Sequence, residues 1–366
     1  MATPSRVTPD QRRLDLLLER CRLEVDSGAL PSAQVALNVG GVEYASETFG
    51  AATPSTRYVL QSAGRPVVAG VLWKLISDGL LDITRTVASY IPEFGTNGKE
   101  VVTVEQVVTH VGGFPLAPLK YPQMLSRSER LRAFAKWRLT YAPGTELRFH
   151  LTSAAWVIGE LCERLTGRPI GEYLRETLTG PLGLESIEIG PPIDRQGDVA
   201  SFVRFDADDS APNPWGPWYL AAPEILAAGE PSHSMVSTAS DLACWYQALM
   251  SSALWRRDVV NDALRVRVTL PVTGERGGTP SVPGNIALFV AVAGEDGTSR
   301  SFLPTATGPR TFGHGGAPCQ IGFGDPETGL SFAFLTNGYP STGYEQSRRG
   351  VNRIINIANL AADCFG

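Results

Sequence analysis

Four side chains, in three widely separated runs of the sequence, have the chemistry of acyl transfer: Ser62, Arg65, His150 and His314. Ser62 stands three residues before Arg65 in Ser62-Ala63-Gly64-Arg65-Pro66, so on a helix the two share a face. A serine hydroxyl attacks a carbonyl only when a base takes its proton. Arg65 is not that base. Neutralising an arginine at pH 7 costs about 7.5–9 kcal/mol, against about 4–5 kcal/mol for a lysine. It can orient the serine, stabilise negative charge or grip a carboxylate with its planar fork. An imidazole with an ordinary pKa near 6.5 is a competent base at neutral pH, and His150 is the candidate. The third run, Phe312-Gly313-His314-Gly315-Gly316-Ala317, sets a histidine among glycines that let a substrate backbone approach a strand closely. His314 there could bind a carbonyl or carboxylate.

These runs lie at element boundaries. Pro66 to Leu80 is helical in pattern, with Pro66 in the first turn, where its missing N–H costs little. Residues 9–27 carry Leu14, Leu17, Cys21 and Leu23 at helical spacing and stop at Gly28. Residues 33–39 and 42–49 alternate around Gly40-Gly41, a hairpin signal. Further helices are predicted over 103–111, 153–166, 171–178 and 238–250. Residues 190–230 are rich in Pro, Gly and Trp with little periodicity. After about residue 285 the pattern turns to strands (286–293, 320–324, 331–335), and an apolar helix over roughly 344–364 closes the chain. Helix and hairpin first, helices in the middle, strands and a helix last: this order predicts a discontinuous α/β sandwich. Residues 1–366 form one unit, with the sheet part from 10–62 and 285–366 and an inserted, mainly helical region over 63–284 bordering the cleft.

The order and spacing of these runs resemble the serine β-lactamase, penicillin-binding protein and family VIII carboxylesterase superfamily, over roughly residues 10–365. The likeness rests on Ser62 with Gly79 seventeen residues on, and on Pro143-Gly144-Thr-Glu-Leu-Arg-Phe-His150-Leu-Thr152 leading to Gly159. It rests also on Gly313-His314-Gly315-Gly316 followed by Ile321-Gly-Phe-Gly-Asp-Pro-Glu and Leu335-Thr-Asn337. The resemblance implies an antiparallel sheet flanked by helices, with Ser62 as nucleophile. The backbone N–H groups of Ser62 and Ala317 would form an oxyanion hole, with donors worth roughly 2.7–4 kcal/mol each. That family uses Ser-x-x-Lys, Tyr-x-Asn and a Lys- or His-led glycine motif. Here the Lys position holds Arg65. Counting back from Gly159 puts His150 and Thr152 at the Tyr and Asn positions; counting forward from Pro143-Gly144 puts Phe149 at the Tyr position. The favoured register is His150. Thr152 lacks the amide that contacts substrate in the family. Trp215, Trp218 and Tyr219 fall in a stretch that borders the family's cleft, so with Gly315 and Gly316 they are candidates to line a substrate pocket. His110 matches a structural turn, and His233 lies in a cleft-approaching loop with no role assigned.

Composition narrows the rest. The 366 residues are 43% hydrophobic and 19% charged, enough for a substantial core. A net charge of −5 without a basic block argues against nucleic acid. No secretory h-region stands near the N-terminus and no stretch of eighteen apolar residues occurs, so neither membrane nor export is expected. Five scattered cysteines (21, 162, 244, 319, 364) read as reduced thiols in a cytoplasmic protein. Four histidines without ligand spacing predict no metal site, and no cofactor is implied. The expectation is a β-lactamase-like serine hydrolase or acyltransferase acting on a small-molecule ester or thioester. Ser62 attacks, His150 handles the proton, and Arg65 supplies fixed charge. β-Lactam turnover is not expected. Two alternatives stay open: isomerase, cyclase or C–C bond chemistry in the same pocket, and a non-catalytic binding protein.

Overall fold

Gly40 and Gly41 take positive φ values of 55° and 83°, a conformation open to glycine, so two residues suffice to turn the chain. They join β1 (Ser32–Val39) to β2 (Val42–Gly50). Every β1 position is buried whereas β2 is largely exposed, which makes β2 an edge and β1 an interior strand. The structure, a computed structural model, describes residues 8–204, 222–271, 283–295, 300, 302–316, 319–339 and 344–365.

Three short strands form a small second sheet: β3 (Tyr58–Val59), β4 (Glu188–Ile189) and β5 (Met235–Ser237), with β5 central. The main sheet is completed by β6 (Val268–Pro271), β7 (Pro283–Ile286), β8 (Ala291–Val292), β9 (Phe312–Gly316), β10 (Gln320–Asp325) and β11 (Leu330–Thr336). Its order is β2-β1-β11-β10-β9-β8-β7-β6, antiparallel throughout. Helices α1 (Gln11–Asp26) and α5 (Tyr344–Asp363) cover one face, where Leu17, Cys21, Ile357 and Ala361 meet Leu37, Phe323 and Phe332. Against the other face lie α2 (Arg65–Ser77) and α4 (Ala239–Ser251). Helix α3 (Ser153–Thr166) packs in the same cluster. The result is the antiparallel sheet flanked by helices that the resemblance implied.

Helix α2 runs through the centre. Every residue from Arg65 to Trp73 is buried, so it has no solvent face to make amphipathic. Gly70 permits this crowding: a Cβ there would sit 2.3 Å from the Trp245 ring. The Trp245 and Trp255 indoles donate to Pro66 O and Gly70 O.

Two local differences from the sequence pattern matter. The strand predicted over 286–293 is broken: β7 ends at Ile286, and a tight turn with Phe289 at φ 65° precedes β8. That turn brings the Phe289 ring to Arg65. The sheet also takes in Val268–Pro271, before the predicted return to strands at 285. Helix Arg127–Lys136 escaped prediction because half of its residues are charged and it buries only Phe134. Among the described residues no helix is long and apolar enough to cross a membrane.

Candidate active site

Ser62 sits in a single 3-10 turn, Gln61–Gly64, between β3 and the first turn of α2. The residue before it, Gln61, takes φ 51°, left-handed backbone that costs a non-glycine residue about 1–3 kcal/mol and is found where a site over-determines it. The turn is clamped by Leu60 N–H donating to Met235 O at 2.8 Å and Gln320 Nε2 donating to Val59 O at 2.8 Å. The end of β9 lies directly against it. A Cβ on Gly316 would fall 2.5 Å from Leu60 O and 3.2 Å from Ala63 N, so only glycine allows the strand this close. Ser62 is 8% exposed, and among the described residues its hydroxyl has no hydrogen-bond partner.

Arg65, one turn on, is wholly buried. Its Cζ lies 4.4 Å from the Phe149 ring centroid and 5.2 Å from that of Phe289. Desolvated contacts of this kind contribute roughly 2 kcal/mol each. Nη2 donates to Leu151 O, while among the described residues Nε and Nη1 have no partner. Burial lowers its pKa to about 10, opposed by the charge of Glu230, so it stays a cation at neutral pH. Its field reaches three of the four histidines. His314 donates from Nδ1 to Gly315 O at 2.7 Å, which leaves Nε2 with its lone pair. Burial and then Arg65 hold His314 down at about 3.

His150 is not the free base that the sequence reading favoured. Its Nδ1 donates to Arg148 O at 2.7 Å, and its Nε2 accepts the Phe114 N–H at 3.2 Å. Both ring nitrogens are spent on backbone. The residue is fully buried, and burial with the Arg65 charge brings its pKa to about 4. Phe149, stacked on Arg65 and with its centroid 5.8 Å from His314, is the side chain of this run that faces the cationic site. The register is set by the Pro143-Gly144 turn, through Gly144 N–H to Val111 O and Arg148 N–H to His110 O. Counting forward from this turn gives the other register. It places Leu151, rather than Thr152, two residues beyond the aromatic. Thr152 serves as the residue before α3, without a side-chain cap hydrogen bond.

A pair that sequence reasoning left unassigned lies near Arg65. Glu230 and His233, both 3% exposed, are joined by a 2.8 Å hydrogen bond from Nδ1 to Oε2. The Ser232 N–H donates to the same carboxylate at 3.1 Å. The Ser232 hydroxyl lies within reach of Glu230 and of Leu151 O, the carbonyl that Arg65 holds. A Glu-x-x-His spacing inside a turn was the available signal. Ala317, Trp215, Trp218 and Tyr219 lie outside the described residues. Cys319 is buried and its thiol is pushed up to about 11, chiefly by desolvation; all five cysteines are free. Among the described residues no group of three or more His, Cys, Asp or Glu is arranged to hold a metal ion.

The chain is 29% identical over 309 residues to the esterase/beta-lactamase LipL of Mycobacterium tuberculosis (strain ATCC 25618 / H37Rv), a match covering 75% of this chain and 68% of that protein. A putative D-alanyl-D-alanine carboxypeptidase of Salmonella agona (strain SL483) is 30% identical over 157 residues, 38% of this chain and 35% of its own length. That match thus spans about a third of the carboxypeptidase. Among solved structures, EstA from Arthrobacter nitroguajacolicus Rue61a superposes with a TM-score of 0.79 at 22% identity, over 97% of this chain and 99% of that one, a likeness of fold. The model of the beta-lactamase family matches residues 18–356, nearly the whole chain, and the protein belongs to that family.

Proposed function

We propose that the protein is an esterase-like acyl hydrolase or acyltransferase acting on a small-molecule ester or thioester through an acyl-Ser62 intermediate. The observation that carries this reading is the construction around Ser62. Its hydroxyl, free of partners among the described residues, stands at the head of a buried helix behind a left-handed residue, against a strand that only glycine lets approach. Strain and close backbone approach maintained together suit a nucleophile presented to a carbonyl. The similarity to LipL, named an esterase/beta-lactamase, points the same way. Arg65 acts as a fixed cation beneath the serine, favouring the negative charge that develops on the attacked carbonyl. His314, with Nδ1 given to Gly315 O, keeps an Nε2 lone pair available to accept a hydrogen bond from substrate. The oxyanion donors are assigned to the Ser62 and Ala317 N–H groups by family resemblance.

One observation favours a second reading. Arg65 stands where the resemblance puts the family's Lys, neither register of the second motif supplies its Tyr or Asn, and among the described residues two Arg65 nitrogens have no partner. A site so altered suits binding of an anionic ligand, or non-hydrolytic chemistry on one, with Ser62 as a hydrogen-bond donor. Exposure to a fluorophosphonate separates the two. Acyl chemistry predicts a mass increment on the Ser62 peptide that disappears in Ser62→Ala; an unlabelled Ser62 in folded protein leaves the second reading.

A further inference from the structure

Acyl transfer at Ser62 needs a proton acceptor, and the structure disqualifies the obvious ones. Arg65 remains protonated, Phe149 has nothing to titrate, and His150 has given both nitrogens to backbone groups. Glu230 and His233 are the ionisable pair that none of these roles uses.

Their placement follows from the small sheet. Strands β3 and β5 pair antiparallel with Tyr58 opposite Ser237 and Val59 opposite Val236. The Leu60 N–H to Met235 O bond extends the pairing by one step. Two residues beyond that bond on either chain stand Ser62, in its 3-10 turn, and His233, in the turn that leads into β5. The approach is close: a Cβ on Gly64 would lie 3.0 Å from the Met235 sulfur. On the histidine's other side, the Ser234 N–H donates to Glu230 O at 2.9 Å, closing the turn that puts Glu230 and His233 side by side. With Nδ1 donating to the carboxylate, Nε2 carries the lone pair, and among the described residues it has no hydrogen-bond partner. The groups around the pair are Arg65, whose charge Glu230 opposes, and His314, which senses His233.

We propose that His233, oriented by Glu230, is the proton acceptor of Ser62, a Ser-His-Glu relay installed on a scaffold whose usual bases are gone. The inference rests on the acyl-transfer reading above. As the Ser62 Oγ–C bond forms, the hydroxyl proton passes to His233 Nε2 and the carbonyl π electrons move onto oxygen. Glu230 stabilises the resulting imidazolium through Nδ1–H. Collapse breaks the carbon–leaving group bond, and the imidazolium returns its proton to the departing alkoxide or thiolate. Water, or an acceptor alcohol, then loses a proton to Nε2 as it attacks the acyl-Ser62 carbonyl, and Ser62 is regenerated with that proton.

Three measurements test it on the full-length protein. His233→Ala should slow fluorophosphonate labelling of Ser62 about 10²–10⁴-fold, the usual contribution of general acid–base catalysis, and added imidazole should restore part of the rate. Glu230→Gln should slow it over a similar range, because the amide donates to Nδ1 and forces the proton onto Nε2, the wrong tautomer. The unsubstituted protein, exposed to a phenylalkyl chloromethyl ketone, should be alkylated at His233, a readout that no folding defect can mimic. Parent-like labelling in His233→Ala, or alkylation falling on His314 instead, overturns the relay and leaves Ser62 a nucleophile. No labelling of the parent protein overturns the nucleophile itself, and the relay with it.

Discussion

Arg65→Lys would restore Ser-x-x-Lys inside surroundings shaped for a guanidinium, and the outcome can be worked from the structure. Burial lowers Arg65 from 12.5 to about 10 against the opposing charge of Glu230. At pH 7 it is protonated by about a thousand to one, and neutralising it costs about 4 kcal/mol at 1.36 kcal/mol per pKa unit. The same surroundings acting on an ammonium with a reference near 10.4 bring it to about 8, so roughly one molecule in ten carries a neutral amine at pH 7. The sign follows directly. Raising the pH removes a proton from the introduced amine and creates base, so the variant gains on the alkaline side, while the parent arginine adds no such limb below about pH 10. Fluorophosphonate labelling of Ser62, followed by mass from pH 6 to 10, should gain a component that rises about tenfold per pH unit and levels near pH 8. Loss of the stacked guanidinium between Phe149 and Phe289 should also lower stability by about 0.5–2 kcal/mol, read from urea midpoints. A limb centred near pH 10.4, or none in a folded variant, would refute the idea that this position imposes its desolvation on whatever cation it holds.

Three further outcomes are expected. His150→Phe should label at Ser62 within about threefold of the parent but lose about 1–3 kcal/mol of stability in urea unfolding, since the Phe114 N–H and Arg148 carbonyl lose their partner; a large fall in labelling with stability intact would restore His150 as the base. Because the folded pKa of His150 is about 4 and the unfolded value about 6.5, its contribution is fully present above pH 6.5 and lost as pH falls toward 4, and the variant should lack that share of the acid sensitivity. Gly316→Ala should cost about 1–3 kcal/mol and depress labelling as the added methyl presses on Leu60 O; an unchanged variant would show that strand and turn are not in contact. Nitrocefin should be turned over negligibly, and hydrolysis at about 1–1000 per second would contradict the altered motifs.

The large elements were legible because their signals are local and strong. The α3 limits, Ser153–Thr166, coincide with the predicted helix because an apolar run meets Gly167, which takes φ 73° as the pattern requires. The β1–β2 hairpin was fixed by its glycines. The site was legible in its parts, and its register was left open between two counts. Gly159, the marker for the favoured count, lies inside α3, and the chain between the Pro-Gly turn and that helix can lose or gain a residue without disturbing either. The hydrogen bonds from residues 144 and 148 to residues 110 and 111 fix the count, and no periodicity encodes them. The proposed partnership of His233 with Ser62 was invisible for a related reason. Glu230 is adjacent to His233 in a turn, but the segments carrying Ser62 and His233 are brought together by pairing between strands 177 residues apart, Val59 with Val236.

Glu230 therefore carries two electrostatic duties that cannot be separated by distance alone. A wholly buried cation without compensation is among the costlier things a fold can contain, and removing one member of a buried charge pair typically costs about 3–5 kcal/mol. Among the described residues Arg65 has a single hydrogen bond, to a neutral carbonyl, and two orphaned nitrogens, so its charge is balanced through space and not by contact. Glu230 supplies that balance, and the Leu151 carbonyl, shared by Arg65 and Ser232, links the two ends. The same carboxylate fixes the His233 tautomer. An arginine at position 65 thus demands a buried anion nearby, and that anion is the carboxylate hydrogen-bonded to His233. In the proposed relay, the carboxylate that balances Arg65 is also the one that orients the base.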